Sequence, residues 1–370
     1  MREMRAAVLE QPGEVKVGQV TIEDPRPGEA LVRVTDCGLC HSDYSYIDGS
    51  FPAVFPLVLG HEAAGIVEAV GEVGAARGLK PGDKAVLCPM ASCGHCYFCV
   101  RGQPTLCATY SIALYTASRP DGTSPLSRDG EVVWRGLCIG GWAEYVIVPQ
   151  EAVVKVPDDV DLAEACVIGC AVQTGVGAVF NTAQVEPGAT VLVLGAGGIG
   201  VAVIQGARIA GATTIVVADP VAGRRDAATR FGATHVVDPG EVEVPAFCHE
   251  VTGGIGVDYA FEAAGVAALI EQGIDAIRLG GTVVGVGAAP VDQGISIPGV
   301  VGFTSTEKKL IGCLLGTVNA HRDIPRLLAM ARTGQLDLAG MITDRYELDD
   351  IDAALANLHD RKGIRTTLRI

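Results

Sequence analysis

The run VLVLGAGGIGVAVI, residues 191–204, constrains the fold more than any other stretch. An apolar strand leads directly into Gly195, Gly197 and Gly200, spaced G-x-G-x-x-G, and a helix-forming segment continues to Ala210. The chain holds 48 glycines, so the spacing alone says little. Its place between a buried strand and a helix is what the motif requires. Gly195 allows the tight turn, Gly197 lets backbone approach a pyrophosphate, and Gly200 lets helix and strand pack closely. Gly198 lies in the same turn, where the helix start offers free N–H groups to phosphate. The next strand ends at Asp219, where an acid bonds a ribose 2′-hydroxyl and repels a 2′-phosphate. That selects NAD over NADP, while nearby Arg224 and Arg225 weaken the exclusion. The alternative is an α/β domain whose Gly-rich turn binds no dinucleotide.

The flanking texture sets the organisation. Residues 172–314 alternate strand and helix, with apolar strands at 190–195, 214–219, 235–238, 257–263 and 281–287. Continuous apolar strands between helices imply a parallel sheet covered on both faces. The first 150 residues instead read as short β segments cut by Gly and Pro, a barrel or sandwich with long loops. One such loop, TASRPDGTSPLSRDGEV (116–132), is too polar and too rich in Pro and Gly for core. The tail beyond residue 314 carries two helical segments and the strand RTTLRI. It is too short to be a domain and is expected to pack back on the first one.

Charge and composition exclude several classes. The formal net charge is -15, which repels a polyanion, so no nucleic-acid partner is expected. No apolar run reaches membrane-spanning length unbroken, so no membrane partner is expected either. The first residues show no secretory pattern, and the chain reads as soluble and cytoplasmic. In a reducing compartment its 12 cysteines favour metal or catalysis over disulfides.

Four of those cysteines, Cys93, Cys96, Cys99 and Cys107, fall within CGHCYFCVRGQPTLC. Thiolates are soft ligands, and four on one loop can close a tetrahedron around Zn²⁺. A closed shell has no open position, which suits a structural ion. His95 is surplus to it. A second, dispersed set comprises CGLCHSD (37–43), LGHEAAG (59–65) and VIGCAVQTG (167–175). Taken singly, each has a bland reading, such as a buried thiol or a satisfied core histidine, and spacing alone does not join them.

Over nearly its whole length the sequence resembles the zinc-containing, medium-chain alcohol dehydrogenases. GHEAAGIVEAVG, the cysteine loop, GCAVQTGVGAV, GAGGIG and GIRTTLRI carry the resemblance, in the family's order. It implies an N-terminal GroES-like β-barrel domain (1–171), completed by the C-terminal tail (315–370), around an α/β Rossmann domain (172–314). It implies two Zn²⁺ per chain and NAD. Cys40, His61 and Cys170 are similar to the catalytic zinc ligands, and the four-cysteine loop to the structural site. Asp43 resembles the carboxylate that orients the ligand histidine, Glu62 the glutamate behind the metal, and Ser42 the hydroxyl that bonds the alcohol oxygen. His41, Thr174, Ile199, Val284, Val286 and Arg365 resemble cofactor contacts. Many members end a proton relay at a histidine where this chain has Ser45.

The implied reaction is reversible hydride transfer between NAD and a primary alcohol or aldehyde, with aromatic, terpenoid or medium-chain substrates. The loop RPDGTSPL resembles the formaldehyde dehydrogenase class, which takes a thiol adduct. However, SYIDGSFPAVFP lacks that class's acidic pair, and Ser111 replaces its arginine. A non-catalytic dinucleotide-binding scaffold is the alternative of another kind. The family resemblance also implies a homodimer or homotetramer.

Overall fold

A computed structural model describes residues 1–71, 78–297 and 299–370. The chain forms two compact units. The first comprises Met1–Cys170, Asn319–Arg332 and Leu338–Ile370; the second comprises Ala171–Val318 and Thr333–Asp337. The sequence boundary at residue 314 thus moves to 318, and the tail is divided between the units. Within the second unit, Gln205 explains the capture of the short segment. Its amide accepts from the Asp337 N–H at 2.7 Å and donates to the Asp337 carbonyl at 3.3 Å.

The first unit holds a closed barrel of Arg2–Gln11, Glu14–Ile22, Leu126–Arg128, Glu131–Arg135 and Leu57–Val58. Beside it lies a sheet ordered Val153–Lys155, Lys84–Leu87, Glu62–Val70, Glu29–Leu39, Arg365–Arg369 and Ile342–Glu347, with Tyr145–Pro149 also on Glu29–Leu39. Trp142, Leu39, Leu57, Leu59 and Leu87 are fully buried in its core. The C-terminal strand therefore completes the β domain, as the resemblance implies. The polar segment 116–132 contains more structure than its composition suggests. Asp129 and Gly130 take φ of 53° and 83° and join Leu126–Arg128 to Glu131–Arg135 as a tight hairpin. Asp-Gly supplies the left-handed pair that a primed turn needs. Arg119, almost fully buried, anchors the same segment through Glu29 at 2.7 Å and Glu23 at 2.9 Å.

The second unit is a parallel sheet ordered His235–Val237, Thr214–Ala218, Thr190–Leu194, Val257–Glu262, Ile277–Gly285 and Lys309–Gly312. Every pairing along it is parallel. The order reverses after Thr190–Leu194, and open sheets of this kind bind ligands at the carboxyl ends of strands at that point. Among the described residues no single helix is long and apolar enough to cross a membrane.

Candidate active site and nucleotide site

Register brings the dispersed residues of the first unit together. Glu29–Leu39 pairs antiparallel with Glu62–Val70, setting Gly38 opposite Glu62. Cys40 and His61 each lie just beyond that pair. Arg365–Arg369 joins the other side of Glu29–Leu39, with Thr366 opposite Leu39. Cys170 enters from the turn Cys166–Gly169. A Cβ on Gly169 would lie 2.7 Å from the Leu87 carbonyl, so glycine permits the approach. Donor atoms of Cys40, His61, Glu62 and Cys170 all lie within 4.8 Å of one another, and all four residues are buried.

The surroundings orient these donors. Asp43 is fully buried on the helix His41–Ile47 and faces His61 Nδ1 at 3.1 Å. It also accepts from the Gly60 N–H at 2.9 Å and the Cys40 N–H at 3.3 Å. One carboxylate therefore fixes the ring and both flanking backbones, and such partners set ligand orientation and basicity. Gly38 and Gly60 were not singled out in the sequence, yet both are required by close approach. A side chain on Gly38 would collide with the Glu62 carboxylate, and one on Gly60, at φ 90°, with Trp142. Ser42 Oγ lies 3.7 Å from Cys40 Sγ. Ser45 Oγ donates to the His41 carbonyl at 3.1 Å, one turn back on its own helix.

Electrostatics follow from burial and proximity. A hydrogen bond from Cys170 holds the Cys40 thiol well below its usual range, while the same bond and burial push Cys170 up. Burial favours neutral His61, but the Asp43 charge and hydrogen bond outweigh it and raise its pKa. Burial pushes Glu62 up to about 7, against the opposing charge of Arg365. Arg365, expected at a pyrophosphate, is buried here; it donates to the Leu39 carbonyl at 2.8 Å and lies 3.4 Å from Glu62.

The four-cysteine loop forms its own cluster, with all four sulfurs within 4.8 Å of one another. Cys96 and Cys107 sulfurs are 4.0 Å apart. A tetrahedron with Zn–S bonds of ~2.3 Å has edges of about 3.8 Å, so the loop fits that ion. Burial alone would raise the Cys93 pKa, but Thr109 and the backbone N–H groups of His95 and Cys96 draw it down to about 6. His95 is exposed, facing the Cys93 carbonyl at 2.9 Å.

In the second unit the glycine turn has the form the motif predicts. Gly195 has φ 96°, and a Cβ there would lie 2.9 Å from Ala264. At Gly197 the Cβ position is open, with Arg224 Nη1 nearest at 3.9 Å. At Gly200 it would collide with the Gly195 carbonyl. Gly198 and Ile199 open the helix Gly198–Ala210. Asp219 accepts from the Ala196 N–H at 2.7 Å and the Val221 N–H at 2.8 Å, leaving lone pairs for hydroxyls. Thr174 Oγ1 is buried with no hydrogen-bond partner among the described residues, a position that suits a bound polar group. Val284 is the penultimate residue of the strand Ile277–Gly285, and the Val286 N–H donates to the Glu262 carbonyl at 2.9 Å.

Two family models match the chain. The alcohol dehydrogenase GroES-like domain matches residues 26–158, and the zinc-binding dehydrogenase model matches residues 198–333. S-(hydroxymethyl)glutathione dehydrogenase of Escherichia coli is 35% identical, over 99% of each chain. Benzyl alcohol dehydrogenase of Acinetobacter calcoaceticus superposes with a TM-score of 0.93 at 28% identity, covering 100% of both chains. A zinc-binding dehydrogenase of Sinorhizobium meliloti, solved with NADP, superposes with a TM-score of 0.82 at 31% identity, again over 100% of each.

Proposed function

The chain belongs to the zinc-dependent, medium-chain alcohol dehydrogenase family, and we propose that it oxidises a primary alcohol reversibly with NAD. The observation that carries this reading is the buried convergence of Cys40, His61, Glu62 and Cys170. Two thiolates and an imidazole suit a catalytic zinc with an open position. Zinc held there supplies a Lewis acid that lowers the pKa of a hydroxyl from ~16 toward ~7. Asp43 holds the His61 ring, and Ser42, beside Cys40, accepts the alcohol proton and passes it outward. With Ser45 bonded to the helix, that proton leaves through water, the role of His41 being phosphate contact. Cys93, Cys96, Cys99 and Cys107 hold a second, structural zinc.

NAD is supported by Asp219 and by the open Cβ position at Gly197, with Thr174 as a contact near the nicotinamide. For substrate, we favour an aromatic, terpenoid or medium-chain alcohol. Tyr46, on the helix His41–Ile47, and Phe51, just after it, meet edge to face with centroids 5.6 Å apart. The relative named for S-(hydroxymethyl)glutathione favours a second reading, a thiol-adduct substrate. Against it stands Ser111, which offers no cation to a thiol's carboxylate. A homodimer or homotetramer is supported by the edge strand Lys309–Gly312 and by Val300 and Val301, 78% and 80% exposed. A cytoplasmic site of action fits the 12 cysteines, none of which forms a disulfide among the described residues.

Metal analysis together with NAD reduction tests the proposal. Two zincs per chain and turnover of benzyl alcohol, geraniol or octanol are expected. Turnover of S-(hydroxymethyl)glutathione alone selects the second reading. Two zincs with no turnover on any alcohol identify a scaffold, and one zinc, in the cysteine loop only, overturns the catalytic assignment.

A further inference from the structure

We infer that Asp238 is a cofactor-specificity residue: it holds Arg225 in place, so that Asp219 alone governs the ribose 2′ position. The inference rests on the dinucleotide reading above. Arg225 lies on the helix Ala222–Phe231, near Asp219, which follows the strand Thr214–Ala218. Its Nη1 donates to the Asp219 carbonyl at 2.7 Å and pairs with Asp238 Oδ2 at 2.8 Å. The guanidinium thus stands against the main chain of the residue expected to read the ribose. A cation at that position accommodates a 2′-phosphate. Asp238 neutralises it and fixes its direction.

The carboxylate is itself fixed. Asp238 follows the neighbouring strand His235–Val237, and its Oδ1 accepts from the Gly240 N–H at 2.9 Å. Side-chain exposure is 19% for Arg225 and 22% for Asp238, so the pair is largely withdrawn from water. Screening is weaker there than at the surface. Arg224 is placed differently, with its guanidinium near Gly197 at the phosphate end of the turn. The two arginines that blurred cofactor choice in the sequence therefore separate in space, with Arg225 held by the Asp238 carboxylate.

Removing the Asp238 charge should release Arg225 toward a 2′-phosphate while leaving the rest of the nucleotide site intact. Calorimetric titration of the full-length, zinc-loaded protein with 2′,5′-ADP and with 5′-ADP tests this. Asp238→Ala is expected to bind 2′,5′-ADP about ten-fold more tightly than wild type, the scale of one charge-assisted contact. Its affinity for 5′-ADP should stay within about two-fold, and the NADP-to-NAD ratio of kcat/KM should rise in parallel. Adding Arg225→Met should abolish the gain. Asp238→Asn keeps an acceptor for the Gly240 N–H and serves if the alanine variant does not fold. A purely structural ion pair would lower the melting temperature and leave the ratio of the two affinities unchanged; that result overturns the inference. So does a gain that survives Arg225→Met. Wild-type protein that binds neither nucleotide overturns the dinucleotide reading itself.

Discussion

Arg365 and Glu62 meet at 3.4 Å, both buried, with the Glu62 carboxylate within 4.8 Å of the Cys40, His61 and Cys170 donors. The last strand of the chain thus places a cation against the first glutamate of the ligand strand. Breaking a buried pair by removing one partner costs ~3–5 kcal/mol, because a buried charge is left uncompensated. Arg365→Met is therefore expected to melt well below wild type. Arg365→Met combined with Glu62→Gln should recover part of the loss. Thermal unfolding followed by circular dichroism reads both, and additive losses in the double variant would show that the two side chains are not coupled.

The two cysteine sets should separate stability from activity. Cys99→Ser opens the closed shell in the first unit and is expected to lower zinc content from two to one per chain and to depress the melting temperature. Structural zinc contributes folding free energy directly. Cys40→Ser should also lose one zinc, keep a near-native melting temperature and lose turnover by about a thousand-fold or more, since ~4 kcal/mol of transition-state stabilisation corresponds to that factor. Zinc analysis by mass spectrometry beside steady-state kinetics distinguishes them. Equal effects of the two variants on activity and stability would contradict the division of roles.

How far the site could be read from sequence depended on whether its geometry is local. The four-cysteine loop and the Gly195–Gly200 turn are set by neighbours in the chain, and spacing sufficed for both. Cys40, His61 and Cys170 are joined by the pairing of Gly38 with Glu62 and by a turn about 100 residues later, which no periodicity encodes. Only the family resemblance connected them. Gly38 and Gly60 escaped notice because their partners, Glu62 and Trp142, are visible only after folding. The hairpin at Asp129–Gly130 was masked by its polar flanks, although Asp-Gly is itself a turn signal. The edge strand Ile342–Glu347 was hidden in the same way, since ITDRYE alternates half-buried with exposed side chains and carries no apolar run.

Glu262 should affect cofactor binding without touching the alcohol site. Its Oε1 accepts from the N–H groups of Ala264, Gly265 and Val266 at 2.8, 2.7 and 3.2 Å. Its carbonyl accepts from Val286 and Gly287. Ala264 in turn packs on the Gly195 turn. One buried carboxylate thus ties together the loops at the carboxyl edge of the parallel sheet. Each buried N–H left without an acceptor costs about 1–3 kcal/mol. Glu262→Ala is expected to raise KM for NAD roughly ten-fold, a change of ~1.4 kcal/mol, with the KM for alcohol nearly unchanged. A lower melting temperature with both KM values at wild type would leave Glu262 a structural role only.

Acid stability should depend on Asp258. It accepts from the Thr190 N–H and hydroxyl, each at 2.8 Å, and from Arg278 Nε at 2.6 Å, linking two neighbouring strands of the parallel sheet. Burial alone would raise its pKa, but the Arg278 and Thr190 hydrogen bonds outweigh burial and lower it. A carboxylate with a depressed folded pKa contributes stability that is fully present above the unfolded value, ~3.9, and is lost as pH falls through the folded value. Wild-type protein should therefore lose melting temperature below about pH 4 more steeply than Asp258→Asn, which has no proton to gain there. At neutral pH the variant should be the less stable, because the ion pair is gone, and the gap should close as pH falls. Melting curves recorded in the second unit from pH 7 down to pH 2, with the two proteins side by side, give the slopes directly. Parallel slopes would mean that Asp258 titrates alike in the folded and unfolded chain.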